Sequence, residues 1–277
     1  MPKIILDNED YCLDMVKVRL LQVQSDEFEA PRVRVERVMG QLAEHLSKTD
    51  FLVLPELWTI HAFNLAAITT NSLSIYDPIF GRMADLTRTA KKWLHAGTFP
   101  IKHSNGNITN SAIVFDPTGE IKINYSKIHL FGFEDGESRY LAAGNEIVVS
   151  TTPLGETGIS TCYDLRFPEL YREQTARGAN CFLISAGWPT VRAEHWATLL
   201  KARAIENQAF VIAASGRGTA NKVELAGQSM VIDPMGKILA QGSLADEYVD
   251  AEIDLDLVAK WRSEFPVLND RRDLHNL

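Results

Sequence analysis

The sequence predicts an α/β fold, on three observations. Short continuous apolar runs, such as 51–54 (Phe-Leu-Val-Leu) and 182–184 (Phe-Leu-Ile), suit strands buried on both faces. Between them lie segments whose apolar residues recur every three or four positions, the period of a helix with one buried face. Two strand–turn–strand units also read alike: 112–121 around Asp116-Pro-Thr-Gly119, and 229–238 around Asp233-Pro-Met-Gly236. The alternation of strands with helices is the α/β pattern, and the paired units suggest two related halves, with two sheets facing each other. Chance likeness between hairpins is the competing reading.

Residues 16–24 read as the first strand, with Val16, Val18, Leu20 and Val23 supplying apolar surface. Residues 1–14 precede it and are expected to be an extension outside the core. Pro31 opens a helix, a favourable first-turn position, and Val35, Val38, Met39, Leu42 and Leu46 form one apolar stripe along it. A strand at 51–54 is followed by a helix over 77–93. Its Ile79, Met83 and Leu86 share a face, and its last turns carry Arg and Lys, where they suit the helix dipole. Strands follow at 94–101, 108–115 and 119–126. Asp, then Pro, then Gly three residues after the Asp is the signature of the type I turn joining the last two. A strand ending at 158–161, a helix over 168–177, a strand at 181–186, a helix over 192–208 and a strand at 210–215 complete the alternation. The second hairpin, 230–232 with 237–239, comes last. No linker or low-complexity tract interrupts the chain, which predicts a single domain over 1–277.

Composition narrows the function. The 277 residues are 45% hydrophobic and 23% charged, with a net charge of −8. That is enough apolar matter for a core, so a disordered chain is excluded. The acidic balance argues against nucleic acid and against an anionic membrane surface. No apolar run approaches the ~20 residues needed to span a bilayer. The start of the chain lacks the apolar stretch of a signal peptide. Cys12, Cys162 and Cys181 cannot all pair and form no C-x-x-C, which points to free thiols in a reducing cytoplasm. The seven histidines show no H-E-x-x-H or comparable ligand pair, so no metal or other cofactor is expected.

Three reactive side chains stand where predicted strands stop: Glu56 after 51–54, Lys127 after 119–126 and Cys162 after 158–161. Open α/β sheets bind ligands at the carboxyl ends of their strands. Brought together there, a thiol would be the nucleophile and a carboxylate would move its proton. An ammonium would hold the oxyanion and would favour the thiolate. Each residue also has an ordinary reading: a buried Cys as a small hydrophobe, Glu56 as a charge suited to a helix start, Lys127 as a solvated strand end. Spacing alone does not bring them together.

The surrounding words are more specific. Leu54-Pro-Glu56, Ser126-Lys-Ile-His-Leu-Phe131 and Cys162-Tyr-Asp-Leu-Arg-Phe-Pro-Glu-Leu170 occur in this order. Together they resemble the signatures of the nitrilase-like carbon–nitrogen hydrolase superfamily, from about Val16 to the end of the chain. The resemblance implies a four-layer α-β-β-α sandwich with two facing mixed β-sheets. It implies Glu56 as general base, Lys127 as oxyanion-stabilising lysine, Cys162 as nucleophile and the Tyr163 backbone N–H as a second oxyanion donor. Glu137, in Glu137-Ser-Arg-Tyr-Leu-Ala-Ala-Gly144, resembles the second glutamate that many members use. It further implies a homodimer, with the C-terminal segment 262–277 as a candidate for the contact.

A further word, Gly187-Trp-Pro-Thr-Val-Arg192-Ala-Glu-His-Trp196, is similar to bacterial ω-amidase members that act on 2-oxo acid amides. Such substrates carry a distant carboxylate, which Arg192 could pair with through a bidentate contact. Tyr163, Phe131 and Trp188 are expected to wall a small pocket. Trp196, Leu199, Leu200 and Ala204 read as a packed helix face, and Arg203 with Glu206 as a surface ion pair. The alternatives within the family are a deaminated-glutathione amidase, a nitrile hydrolase, an N-carbamoyl amide hydrolase and an acyl-transferase. Outside it stands a catalytically silent binding or scaffold protein on the same fold. A nucleotide-binding domain lacks support, because no phosphate-binding glycine loop is present.

Overall fold

The computed structural model of the protein describes residues 15–132 and 135–272. The proposed extension 1–14, Cys12 and the last five residues of the C-terminal segment lie outside the described residues. The first half of the chain runs β1 (Val16–Leu21), β2 (Gln24–Ser25), α1 (Pro31–His45), β3 (Phe51–Val53), α2 (Ala67–Thr70), α3 (Pro78–Ala90), β4 (Trp93–Lys102), β5 (Ile108–Phe115) and β6 (Ile121–Ser126). The second runs β7 (Val149–Thr152), β8 (Gly155–Thr161), α4 (Pro168–Ala176), β9 (Cys181–Ala186), α5 (Ala193–Asn207) and β10 (Phe210–Ser215). It continues with β11 (Arg217–Ala220), β12 (Val223–Ala226), β13 (Met230–Ile232) and β14 (Ile238–Gln241), after which come β15 (Tyr248–Ile253) and α6 (Asp256–Glu264).

Two six-stranded mixed sheets result, in the orders β15-β1-β3-β4-β5-β6 and β14-β13-β10-β9-β8-β7. Side chains alternate in direction along each strand, and that alternation builds the layers. Val18, Leu20, Phe51 and Val53 of the first sheet meet Cys181, Leu183, Phe210 and Ile212 of the second in an inner core. The intervening residues face outward. Leu52, Leu94 and Phe99 pack under Val38, Leu42, Phe80 and Met83 of α1 and α3. Phe182, Ile184 and Val211 pack under Tyr171, Trp196 and Leu200 of α4 and α5. The architecture is the four-layer α-β-β-α sandwich. Among the described residues no helix is long and apolar enough to cross a membrane.

Several boundaries differ from the sequence reading. The run 16–24 is not one strand. β1 stops at Leu21, and Gln24–Ser25 joins a separate three-stranded sheet, β12-β11-β2. The helix expected over 77–93 ends at Ala90, because Lys91 turns left-handed at φ 55°. Its start is capped by Asp77, whose carboxylate accepts from the Ile79 N–H. Arg203 is no surface residue. It is 4% exposed, and besides Glu206 (2.9 Å) its guanidinium donates to the Leu165 carbonyl at 2.7 Å.

Candidate active site

Four strand ends converge on one cavity. Glu56 sits in the loop after β3, where the middle of β4 holds it in place. Leu57 N–H donates to the Thr98 hydroxyl at 2.9 Å and Thr98 N–H to the Pro55 carbonyl at 3.3 Å. This close approach requires glycine at position 97, since a Cβ there would lie 2.2 Å from the Pro55 oxygen. Lys127 follows β6, and its N–H donates to the Asn110 carbonyl of β5 at 2.8 Å. Glu137 begins a short 3-10 turn, Glu137–Arg139, and its carboxylate accepts from the Phe131 N–H at 2.8 Å. Cys162 opens the turn Cys162–Arg166 after β8, at φ 45°. A left-handed non-glycine residue costs about 1–2 kcal/mol. Hydrogen bonds that the buried Asp164 carboxylate accepts, among them one from the Thr161 N–H at 3.0 Å, offset that cost.

The side chains meet. Lys127 Nζ donates to Glu56 Oε1 at 2.8 Å and to Glu137 at 3.0 and 2.8 Å. Glu56 also accepts from Asn110 Nδ2 at 2.8 Å and, on its other oxygen, from the Gly187 N–H at 3.0 Å. The three charged groups are between 1% and 4% exposed. The Cys162 side chain opens on the cavity, which Glu56, Lys127 and Glu137 also line. Sequence reasoning missed Asn110 and Gly187, which fix the Glu56 carboxylate. It also quoted Asp164 without a role, although an acid two residues after the candidate nucleophile was the available signal.

Burial opposes the charge on Lys127, but Glu137 and Glu56 outweigh it and hold the ammonium well above its ordinary pKa. Burial pushes the Glu137 carboxyl up against the pull of Lys127, and the negative charge of Glu56 adds to the rise. Burial also raises the Cys162 thiol well above its ordinary value, with the charge of Glu56 reinforcing it and Lys127 opposing. Lys127 pulls toward the thiolate as expected, but burial and Glu56 outweigh it. The thiol form is thereby favoured, because burial and the Glu56 carboxylate oppose ionisation more than the single ammonium promotes it. The arrangement suits proton transfer from sulfur to Glu56 as a bond to carbon forms.

The cavity measures about 210 Å³. Phe131, Tyr163 and Trp188 wall it, as expected, and Tyr163 meets Phe131 edge-on with centroids 5.3 Å apart. Arg192 lines it too, with its guanidinium 5.6 Å from the Phe131 ring centroid. Arg166, which the sequence reading did not single out, lines the same cavity with its guanidinium 5.0 Å from the Trp188 ring. Among the described residues no carboxylate pairs with either arginine in an ion pair.

Comparison with known proteins agrees with this geometry. The chain is 41% identical over 262 residues to a 2-oxoglutaramate amidase of Paenarthrobacter nicotinovorans, covering 92% of this chain and 89% of that one. It is 39% identical over 251 residues to a 2-oxoglutaramate amidase of Bacillus subtilis, covering 88% and 94%. A deaminated glutathione amidase of Dictyostelium discoideum is 36% identical, covering 82% and 84%. Among solved structures, a Saccharomyces cerevisiae member of branch 10 of the nitrilase superfamily superposes with a TM-score of 0.84 at 26% identity, covering 94% of this chain and 97% of that one. The model of the carbon-nitrogen hydrolase family matches residues 17–263. A thiol, an ammonium and two carboxylates on one cavity of this sandwich are thus found in a chain that belongs to the carbon–nitrogen hydrolase family and is a hydrolase of carbon–nitrogen bonds.

Proposed function

We propose that this protein hydrolyses the ω-amide of a small 2-oxo dicarboxylic acid amide, such as 2-oxoglutaramate, to the carboxylate and ammonia. The observation that carries the reading is a small cavity with Cys162, Lys127, Glu56 and Glu137 in its lining, beside two arginines, Arg192 and Arg166, that form no ion pair among the described residues. Cys162 attacks the amide carbon while Glu56 takes the thiol proton. The Lys127 ammonium and the Tyr163 backbone N–H hold the tetrahedral oxyanion. Glu56 returns the proton to the departing ammonia, leaving a thioester. A water deprotonated by Glu56 then releases the acid and restores the thiol. Glu137 keeps Lys127 charged and aimed. Arg192, with Arg166, receives the far carboxylate, and Phe131, Tyr163 and Trp188 exclude water from the short carbon chain.

The 41% and 39% identical relatives named for 2-oxoglutaramate support this substrate class. The same reading includes a homodimer and a cytoplasmic location. Exposed Ile205 of α5 and Phe265 just beyond α6, 51% and 53% accessible, support a face covered by a second copy. The test is ammonia release from 2-oxoglutaramate, from simple monocarboxylic amides and from deaminated glutathione. Turnover of 2-oxoglutaramate with release of 2-oxoglutarate, lost in Cys162→Ala, is expected. Turnover confined to the deaminated tripeptide would replace the substrate assignment.

A further inference from the structure

Beneath the cavity lies a carboxylate that the reaction does not use. Asp164 is fully buried. One oxygen accepts from the Tyr125 hydroxyl at 2.7 Å and from the Thr161 N–H at 3.0 Å. The other accepts from the His129 N–H at 2.9 Å and from His129 Nδ1 at 2.8 Å. An ionised carboxylate only accepts hydrogen bonds, so all four partners are donors and its capacity is filled. Their places in the chain matter. Tyr125 and His129 flank Lys127 two residues to either side. Thr161 immediately precedes Cys162, and Asp164 itself lies two residues beyond it. His129 is fixed further by stacking on Phe167, with centroids 3.7 Å apart and planes 7° from parallel.

We propose that Asp164 is a positioning residue that sets the separation of the Cys162 sulfur from the Lys127 ammonium. The proposal rests on the roles given above to those two groups. Without the carboxylate, the segment carrying the ammonium and the turn carrying the sulfur lose the Tyr125 and His129 ties to Asp164. The turn must then hold φ 45° at Cys162 with the preceding N–H unsatisfied. Asparagine cannot substitute. If its NH₂ faces Tyr125 and Thr161, it opposes the Thr161 N–H. If it faces His129, it opposes the His129 backbone N–H. Either orientation sets two donors against each other in a buried place. Arg192 and Trp188, which grip the substrate, lie outside the turn that Asp164 holds, so loss of Asp164 acts first on the reacting geometry.

The experiment compares the wild type with Asp164→Asn and Tyr125→Phe, with kcat and KM for 2-oxoglutaramate measured per folded molecule by calibrating against the thermal unfolding signal. In Asp164→Asn kcat should fall about 100-fold with KM held within about twofold, the mark of misplaced reacting groups with intact binding. Alkylation of Cys162 by iodoacetamide, which needs no substrate, should slow in the same variant. Tyr125→Phe removes one donor of the four and should shift both rates in the same direction by less; it decides the matter if Asp164→Asn does not fold. Wild-type rates per folded molecule, or a change confined to KM, would overturn the proposal. Slowed alkylation in Asp164→Asn, with no amide turned over by the wild type, would sink the substrate assignment while leaving the positioning role standing.

Discussion

The two halves of the molecule are built on one plan and finished differently. Read from β15 across to β6, the first sheet pairs antiparallel, parallel, parallel, antiparallel, antiparallel. Read from β7 across to β14, the second shows the same series. Thus β3 corresponds to β9, β6 to β14 and β8 to β1. The residues after the first-named strands include Glu56, Lys127 and Cys162. Those after their counterparts are Gly187, Gly242 and Gln22. Glu56 and Lys127 keep buried charges around a cavity, which Gly187 also lines, whereas the place held by Gly242 and Gln22 is filled. Gln22 donates to the carbonyls of Ser243 and Asp246, each at 2.7 Å, and accepts from the Ser229 N–H at 2.8 Å. A Cβ at Gly242 would stand 2.8 Å from the Gln22 side-chain oxygen. The same backbone position can therefore serve chemistry or packing. Charge with empty space makes a site, and a neutral amide with every group satisfied makes a joint.

Exchanging the two outcomes by mutation tests this contrast most strongly. Lys127→Ala should lower kcat about 10²–10³-fold, the worth of an oxyanion donor. Gln22→Ala strands a buried N–H and two carbonyls, so it should cost about 2–3 kcal/mol of stability and leave kcat per folded molecule near the wild type's. Steady-state kinetics beside urea unfolding separates the two. A Gln22 variant that loses rate as Lys127→Ala does would show the second position to be no mere joint.

Acid sharpens the comparison next, because it bears on the first half. Burial holds His95 of β4 and His61 of the loop after β3 down to about 4, with the Arg34 charge adding to the shift at His61. Below the ordinary value near 6.5 the unfolded chain binds protons that these folded rings refuse. Their contribution to stability is therefore complete above about pH 6.5 and is lost as pH falls towards 4. In the second half His195 is exposed. Urea unfolding between pH 7 and pH 4 should show His95→Gln losing about 3 kcal/mol less than the wild type over that range. Parallel curves would clear His95 of the effect.

The smallest expected difference lies between the two hairpins. Gly119 and Gly236 both hold positive φ, at 82° and 85°. An added Cβ at 119 would meet the Ala84 backbone oxygen at 2.6 Å, and one at 236 would meet the Ile205 side chain at 2.5 Å. A carbonyl inside α3 cannot yield, whereas an isoleucine side chain can change rotamer. Gly119→Ala should thus be the more destabilising by about 1 kcal/mol in thermal unfolding, beyond the backbone strain that both share. Equal losses would mean that the two turns are held alike.

Much of this was legible in the chain. The paired Asp-Pro-x-Gly turns announced the two halves, because a type I turn dictates its own residues. The continuous apolar runs at 51–54 and 182–184 announced strands buried on both faces. Glu56, Lys127, Glu137 and Cys162 could be named from their local words, and they share one cavity. What escaped depends on partners distant in sequence. Tyr248–Ile253 is a sheet-edge strand with exposed polar residues and no apolar run to mark it. Arg203 looked like half of a surface pair, because its carbonyl partner lies 38 residues earlier. The balance at the thiol escaped for the same reason: the words supply the cation, but only the folded site shows the burial and the Glu56 charge that oppose it.

That resting protonation has a consequence for endurance. Peroxide and stray electrophiles consume sulfur chiefly as its anion. A nucleophile that surrenders its proton only when an acyl carbon is in place presents little of that anion to them. The burial and the carboxylate that delay ionisation thereby guard the sulfur between turnovers, and its reactivity is reserved for molecules that fit the hollow.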